Sequence, residues 1–407
     1  MKITIRKTFK YRVYRCDKRD KYLHRRIDRA GQIWNHCLAL QRRFYRLTGK
    51  YIQPNRMKSH IAKLRRQVAR FEHWQLLGSQ VVQDVAERQD RAYQRFFRGL
   101  AKRPPKFKKV KKYSSITYKQ AGWKLRADTN VHETGGKQGG KKHIKSTGHL
   151  VIEGVEYKFV KHRELEGKIK TITMKRDSCN RLFVCFSVEC EIDMPERVMT
   201  GETAGLDFGL QTFLTDDNGN AYKSPEFLKQ ELGRIKQLSR AFSHKQRGSK
   251  AHKRAQYALS RAQIRVSDKR TDSHYKLAHQ LCDTFDTIYL EDLNLQGMKR
   301  LWGRKVSDLA FGEFVTILKW IGKKRGVELV FIDRYEPSSK TCSHCGSIQK
   351  LTLNDRVYAC HRCGLVLDRD HNAARNIKRI GASIRLPEAC QTGACTCLVV
   401  DGRSSLF

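Results

Sequence analysis

Three short stretches, far apart in the chain, each present a carboxylate in a setting that a metal-dependent phosphodiesterase could use. The first is Thr203-Ala204-Gly205-Leu206-Asp207-Phe208-Gly209-Leu210. The second is Ile288-Tyr289-Leu290-Glu291-Asp292-Leu293-Asn294, and the third is Asp368-Arg369-Asp370-His371-Asn372-Ala373-Ala374-Arg375-Asn376. Hydrolysis of a phosphodiester by two divalent cations needs several carboxylates converging on one point. Asp207 alone is ordinary turn chemistry, but Gly205 and Gly209 flank it and leave room for metal, phosphate or backbone to come close. Glu291 ends an apolar strand, where an inward carboxylate is costly without a cation or partner. Asp370 stands at the start of a helix predicted over Asn372 to Ile377, where the dipole favours an anion. The same position would suit a plain N-cap. Together the three placements predict a nuclease.

A second chemistry lies just before the third stretch. Cys342-Ser343-His344-Cys345 and Cys360-His361-Arg362-Cys363 are two C-x-x-C knuckles, each followed by a glycine, Gly346 and Gly364. Four thiolates close a tetrahedral sphere with no open position, so the spacing predicts one structural Zn2+ held by Cys342, Cys345, Cys360 and Cys363. His344 and His361 are then bystanders, and the alternative of a redox C-x-x-C is set aside. The total of 13 cysteines is odd and most are scattered, which speaks against a secreted disulfide framework and for a reducing cytosol.

Composition selects the partner. The 83 Lys and Arg against 40 Asp and Glu leave a formal charge of +43 on 407 residues. Such an excess calls for a polyanion, and the commonest is nucleic acid. A ribosomal or architectural coat protein would share the charge but not the carboxylate set. No run approaches the ~18 uncharged apolar residues of a spanning helix, and the N-terminus lacks a signal-peptide core, so no membrane role is expected.

These residues need elements to position them. Ile3, Ile5, Phe9 and Tyr11, interleaved with Lys and Arg, predict a strand up to about residue 15. Helical spacing follows in Leu23, Ile27, Ala30, Trp34, Leu38 and Phe44, then in Ile61, Leu64, Val68 and Phe71, then in Val81, Val85, Tyr93, Phe96 and Phe97. Pro104-Pro105 excludes helix beyond, and a Lys- and Gly-rich stretch through Gly135-Gly136 and Gly139-Gly140 reads as a flexible basic loop. Strands resume at Leu150-Val151-Ile152 and at Ile169 to Met174. The latter forms a hairpin with Leu182 to Val188 across the turn Asp177-Ser178-Cys179-Asn180. The N-terminal strand is expected to join them in a small barrel that carries the helices as an insertion. From Gly201 the pattern is α/β: a strand ending at Asp207, Phe213 to Thr215, a turn at Asp216 to Gly219, and a basic helical stretch from Glu226 to about Phe285 broken near Gly248. Strand Ile288 to Leu290, helix Phe311 to Lys324 and strand Glu328 to Ile332 follow. A strand hairpin first and helix-alternating strands later is the order of an RNase H-like core.

The run from Thr203 to Asn376 resembles the RuvC-like half of TnpB, the transposon-encoded RNA-guided nucleases, and of their relatives the compact type V CRISPR effectors. The matching pieces are Gly205 to Leu210, Leu290-Glu291-Asp292-Leu293, Ser338-Ser339-Lys340-Thr341-Cys342 and Asp368 to Asn376, in that order around the zinc pattern. The N-terminal half matches in layout only. The resemblance implies a mixed α/β multidomain chain: a β-barrel wedge domain over 1–15 and 105–198, a helical recognition domain over 16–104, a RuvC-like nuclease over 199–335 and 366–382, and a zinc ribbon over 336–365. A disordered tail would span 383–407, and its Cys390, Cys395 and Cys397 have no assigned role. It implies that Asp207, Glu291 and Asp370 bind two Mg2+ or Mn2+ ions and activate water against DNA phosphate. Asp370 is preferred to Asp368 because it directly precedes His371-Asn372-Ala373-Ala374. A guide RNA would pair with one strand of a target double-stranded DNA next to a short duplex motif, the protein acting as a monomer with its RNA in a prokaryotic cytoplasm. By position Ser79 and Gln83 would face that duplex, and a Gln there can read adenine, although a solvated helix face suits it equally. Lys245, Arg247, Lys250, Lys253 and Arg254 are candidates for holding the guide–target duplex, with the same alternative.

Three rivals remain open on sequence. A compact type V CRISPR effector would share the chemistry and differ in its neighbouring DNA. A nuclease-dead RNA-guided repressor would be expected to have a broken carboxylate set, whereas all three positions are intact. A strand-transferring transposase can use the same core, but the zinc pattern between strand and final helix argues against it.

Overall fold

The computed structural model describes residues 2–126, 131–132, 145–193, 199–352 and 355–385. The Gly-rich basic stretch expected after residue 132 and the tail with Cys390, Cys395 and Cys397 lie outside the described residues. The chain divides into two compact units, residues 1–193 and 194–407. Among the described residues no helix is long and apolar enough to cross a membrane.

The first unit opens with β1 (Lys2–Arg12) and three helices, α1 (Asp17–Thr48), α2 (Pro54–Gln67) and α3 (Ser79–Phe97). Strands β2 (Ser115–Tyr118), β3 (Trp123–Arg126), β4 (Val131–His132), β5 (Lys145–Ile152), β6 (Val155–Lys161), β7 (Lys168–Arg176) and β8 (Leu182–Asp193) follow. The helical stripe read from the sequence is the buried one, with Leu23, Ile27, Ala30, Trp34 and Leu38 at most 4% exposed. The second helix is shorter than expected. Val68 turns extended at φ −118°, ψ 109°, and Phe71 lies on a 3-10 turn over Ala69–Leu76. There the chain folds back so that Gln75 donates to the Arg65 carbonyl at 2.8 Å and Arg65 donates to the Leu77 carbonyl. Side chains thus satisfy a helix end that would otherwise be orphaned.

As expected, the N-terminal strand pairs with a late one, β1 antiparallel to β8 from Lys2↔Asp193 to Arg12↔Phe183. The β7–β8 hairpin closes on Asp177, whose carboxylate accepts from the Cys179 and Arg181 amides, both at 2.8 Å. The barrel is not formed as expected from the sequence. The described strands make two four-stranded sheets, β1-β8-β7-β2 and a second built on β5, with β3 and β4 along one edge and β6 on the other. They meet at the Val13↔Phe159 bridge, where Tyr14 donates to Lys158, and no ladder closes them among the described residues. Rings of Tyr11, Phe159 and Phe186, 5.3–5.8 Å apart, fill the corner. Helices and strands share one hydrophobic core.

The second unit contains β9 (Thr203–Asp207), β10 (Leu214–Asp216), β11 (Ala221–Tyr222), α4 (Phe227–Ser243), α5 (Lys250–Thr284), β12 (Thr287–Glu291), α6 (Leu295–Leu309), α7 (Phe311–Arg325) and β13 (Glu328–Ile332). The short hairpin β14 (Val357–Ala359) and β15 (Val366–Asp368) precedes α8 (Arg369–Arg385). One sheet runs β11-β10-β9-β12-β13. β9, β10 and β11 are antiparallel, whereas β9, β12 and β13 are parallel. Pleat alternation separates its faces. Ala204, Leu206, Ile288 and Leu290 enter a core with α5 and α7, while Tyr289 packs against Ile377 of α8 on the opposite face. The sheet is therefore covered on both sides, as parallel strands require. The break near Gly248 is real. The helix α6, absent from the expected elements, starts at Asn294, whose side chain accepts from Gly297 at 3.1 Å.

Candidate active site and metal centre

Register brings the first two carboxylates together. Leu290 of β12 pairs with Leu206 of β9, so Glu291 and Asp207 are the next residues on neighbouring parallel strands, at their C-terminal ends. That end of a parallel sheet is where α/β folds bind ligands. Alternation turns Gly205, Asp207, Tyr289 and Glu291 toward the face that α8 covers. Asp370, in the first turn of α8, supplies the third group: a Cβ on Gly209 would stand 3.2 Å from the Asp370 Oδ2.

Electrostatics report the same convergence. The Asp207 carboxyl is pushed up to about 8, first by burial and then by the charges of Asp370 and Glu291, with Arg369 opposing. Burial raises Glu291, as does Asp292 beside it, and burial raises Asp370, followed by Asp368. Asp207 thus feels both of the other carboxylates, and hard oxygen donors of this kind fit Mg2+ or Mn2+.

Neighbouring acids are already occupied. Asp368 accepts the amides of Asp370 and His371 at 2.9 and 3.1 Å, so it is Asp368 that caps α8 and Asp370 that is left for other work. Asp292 forms an ion pair with Arg334. In the β10–β11 turn, Asp216 binds the amides of Asn218 and Asn220, whereas Asp217 accepts from the Gly205 amide at 2.9 Å and from Lys378 at 2.6 Å.

Gly205 serves a purpose other than the one its position suggested. A Cβ there would meet the Ala374 carbonyl oxygen at 2.2 Å and the Lys378 nitrogen at 2.6 Å, so the bare backbone admits α8 rather than a phosphate. Sequence reasoning took Asp370 from the third stretch and passed over its other polar residues. His371 Nε2 lies 3.0 Å from the Asp217 carbonyl oxygen, and the side chains of Asn372 and Asn376 are fully buried. The signal for the asparagines was their i, i+4 spacing beside Ala373-Ala374, a polar pair on one face and a small pair on another.

The four cysteines do assemble. Their Sγ atoms all lie within 4.8 Å of one another, the one group of three or more potential ligands to close so tightly among the described residues. Cys342 and Cys363 sulfurs stand 3.6 Å apart, Cys345 and Cys360 sulfurs 3.5 Å. Sulfurs about 2.3 Å from a central ion would be about 3.8 Å apart in a tetrahedron. The two knuckles are built alike. Gly346 and Gly364, at φ +73° and +74°, donate to the carbonyls of Cys342 and Cys360, both at 3.0 Å.

Ser79 is exposed and Gln83 half-buried on the first turns of α3, in the first unit. Lys245, Arg247, Lys250, Lys253 and Arg254 are all exposed around the α4–α5 turn.

Residues 184–301, which hold Asp207 and Glu291, match the family described as "Probable transposase". Residues 311–377, with the four cysteines and Asp370, match "Cas12f1-like, TNB domain". A Streptomyces pristinaespiralis protein provisionally named an RNA-guided DNA endonuclease is 28% identical over 395 residues, 96% of this chain and 92% of that protein. A TnpB-like protein of Acanthamoeba polyphaga mimivirus is 33% identical over 230 residues, 52% of this chain but only 43% of the relative. The solved structure of the mini-RNA-guided endonuclease CRISPR-Cas_phi3 shares 10% identity and a TM-score of 0.51, covering 93% of this chain and 92% of that one, a likeness of fold. Over the residues these matches cover, the chain is similar to transposase, TnpB-like and RNA-guided endonuclease proteins, the resemblance its motifs suggested.

Proposed function

We propose that this chain is an RNA-guided double-stranded DNA endonuclease of a transposable element, with an RNase H-like, RuvC-like core over 199–335 and 366–382. One observation carries the reading: Asp207 and Glu291 end adjacent parallel strands β9 and β12, and the charges of Asp370 and Glu291, from two other segments, add to burial in raising the Asp207 carboxyl's affinity for a proton. Two Mg2+ or Mn2+ ions held by these carboxylates would neutralise the phosphate and activate a water for in-line attack. The chain's own part is positional. β9 and β12 present two carboxylates from adjacent rigid strands, α8 brings the third, and Gly209 leaves space for Asp370. The cysteine cluster would hold one structural Zn2+. Residues 1–198 would serve as wedge and recognition domains for guide RNA and target, acting in the cytoplasm as a monomer with RNA.

The names of relatives support the guided reading, and the charge of +43 supplies the affinity for a polyanion. The test compares cleavage of one plasmid with a matched guide RNA, a mismatched guide and none. Cutting with the matched guide alone is expected. Equal cutting in all three would leave a nonspecific basic nuclease. The family description "Probable transposase" favours strand transfer as the second reading, and joining of DNA ends without RNA would establish it instead.

A further inference from the structure

Helical spacing gives α8 three working faces. Asp370, Ala374 and Ile377 look toward the sheet. His371 and Lys378 hold the β10–β11 turn, through the Asp217 carbonyl and carboxylate. Asn372 and Asn376 look the other way, into the entry of the cysteine module. Asn372 accepts from the Ser343 amide at 2.9 Å and donates to the Thr341 carbonyl at 2.8 Å. Asn376 donates to the Ser338 and Thr341 carbonyls at 2.8 and 2.7 Å. Both asparagines are 0% exposed.

Two buried amides are an expensive way to pack a helix if all that is needed is contact, because each must be matched in full. The Asn376 Oδ1 accepts from Arg379 on the same helix at 3.2 Å, and the rest are matched by backbone atoms of 338–343, around Cys342. We propose that Asn372 and Asn376 are positioning residues for the carboxylate site: through them the cysteine module clamps the outer face of α8 and fixes how far Asp370 stands from Asp207 and Glu291. The proposal rests on the nuclease reading. It assigns the module a part in catalysis beyond stapling its own fold. Groups behind a metal ligand orient it, and their removal characteristically costs ~10–100-fold in metal affinity.

The test measures Mn2+ binding by the full chain with its guide RNA, following the spectroscopic signal of free Mn2+. Uptake by the Asp370→Ala complex is the background for sites on RNA. The variants are Asn372→Ala and Asn376→Ala, with zinc content, melting temperature and amide exchange at Ser343 recorded alongside. The expected result is Mn2+ binding weaker by roughly tenfold, faster exchange at Ser343, and zinc content equal to the parent's. A purely structural role would lower the melting temperature and leave Mn2+ affinity alone, and that outcome overturns the proposal. Should alanine prevent folding, Asn376→Ser, which keeps a hydroxyl on the buried face, carries the test by the same criterion. Equal Mn2+ uptake by the parent and by Asp370→Ala would overturn the nuclease reading and this one with it. Normal parent uptake with unchanged asparagine variants overturns this one alone.

Discussion

Asp207 occupies a place where a carboxylate is hard to ionise without help. Its proton affinity is raised to about 8, chiefly by burial and then by Asp370 and Glu291, against about 3.9 in an unfolded chain. Between those two values the native state holds a proton that the unfolded chain has released. Metal-free protein therefore loses stability as pH rises through that window. Asp207→Asn removes the group, so with chelator the variant should melt higher than the parent at pH 8, and the gap should close toward pH 4. Adding Mg2+ should restore the parent alone. Parallel melting curves across pH would show that the carboxyl is not perturbed. The same scale separates Asp370 from Asp368. Asp370→Ala should abolish cleavage with target binding intact, as should Glu291→Gln. Asp368→Ala should cost about 1 kcal/mol through removal of the cap and keep metal-dependent cutting. Robust cutting by Asp370→Ala would transfer the role to Asp368. The carboxylates were legible because costly residues at strand ends and helix starts are few. The cap ambiguity was not, since only the amides of Asp370 and His371 show which aspartate they bind.

Among the elements, α8 packs directly against β9. The Gly205 amide is tied to Asp217, and a methyl at Gly205 would overlap the backbone of α8 at Ala374 and Lys378. Neither side is a flexible side chain, so the helix must move. Gly205→Ala should thus destabilise the second unit by at least about 1–3 kcal/mol and weaken cleavage even where the protein folds, because Asp370 rides on the displaced helix. An Ala variant with parent melting temperature and activity would refute this packing account. Cys342→Ser should act earlier, lowering the yield of folded protein, since a structural metal contributes folding free energy directly. Elements with a clear period were readable: the stripe of α1, the alternation of β1, the apolar runs of β12 and β13. α6 was not, because Gly297 and Gly303 interrupt its pattern and Trp302 leaves helical geometry at φ −125°, ψ 39°. The pairing of strands into two sheets rather than a closed barrel depends on long-range ladders that no local pattern records.

At the scale of the whole molecule the charge is unevenly shared. Residues 1–193 hold more than half of the Lys and Arg but less than half of the Asp and Glu, while the three site carboxylates belong to the second unit. Most of the positive charge and the carboxylate set are thereby loaded onto different parts of the chain. The α4–α5 turn is an exception in the second unit. From Arg234 to Arg265 its helices carry Lys and Arg with no acidic residue, and Lys245, Arg247, Lys250, Lys253 and Arg254 are exposed. If these five engage phosphate, replacing them with alanine should weaken RNA-loaded target binding at low salt. It should also flatten the dependence of log affinity on log salt, by up to about one for each phosphate no longer engaged. Mg2+-dependent cutting of bound target should persist, because none of the five belongs to the carboxylate site. A solvated basic face predicts something else: affinity falls slightly through the change in overall field, but the salt slope stays near that of the parent, since no counterions are released on binding there. Titrating both proteins against one matched duplex over a range of salt separates the two, and an unchanged slope assigns the hairpin to solvent.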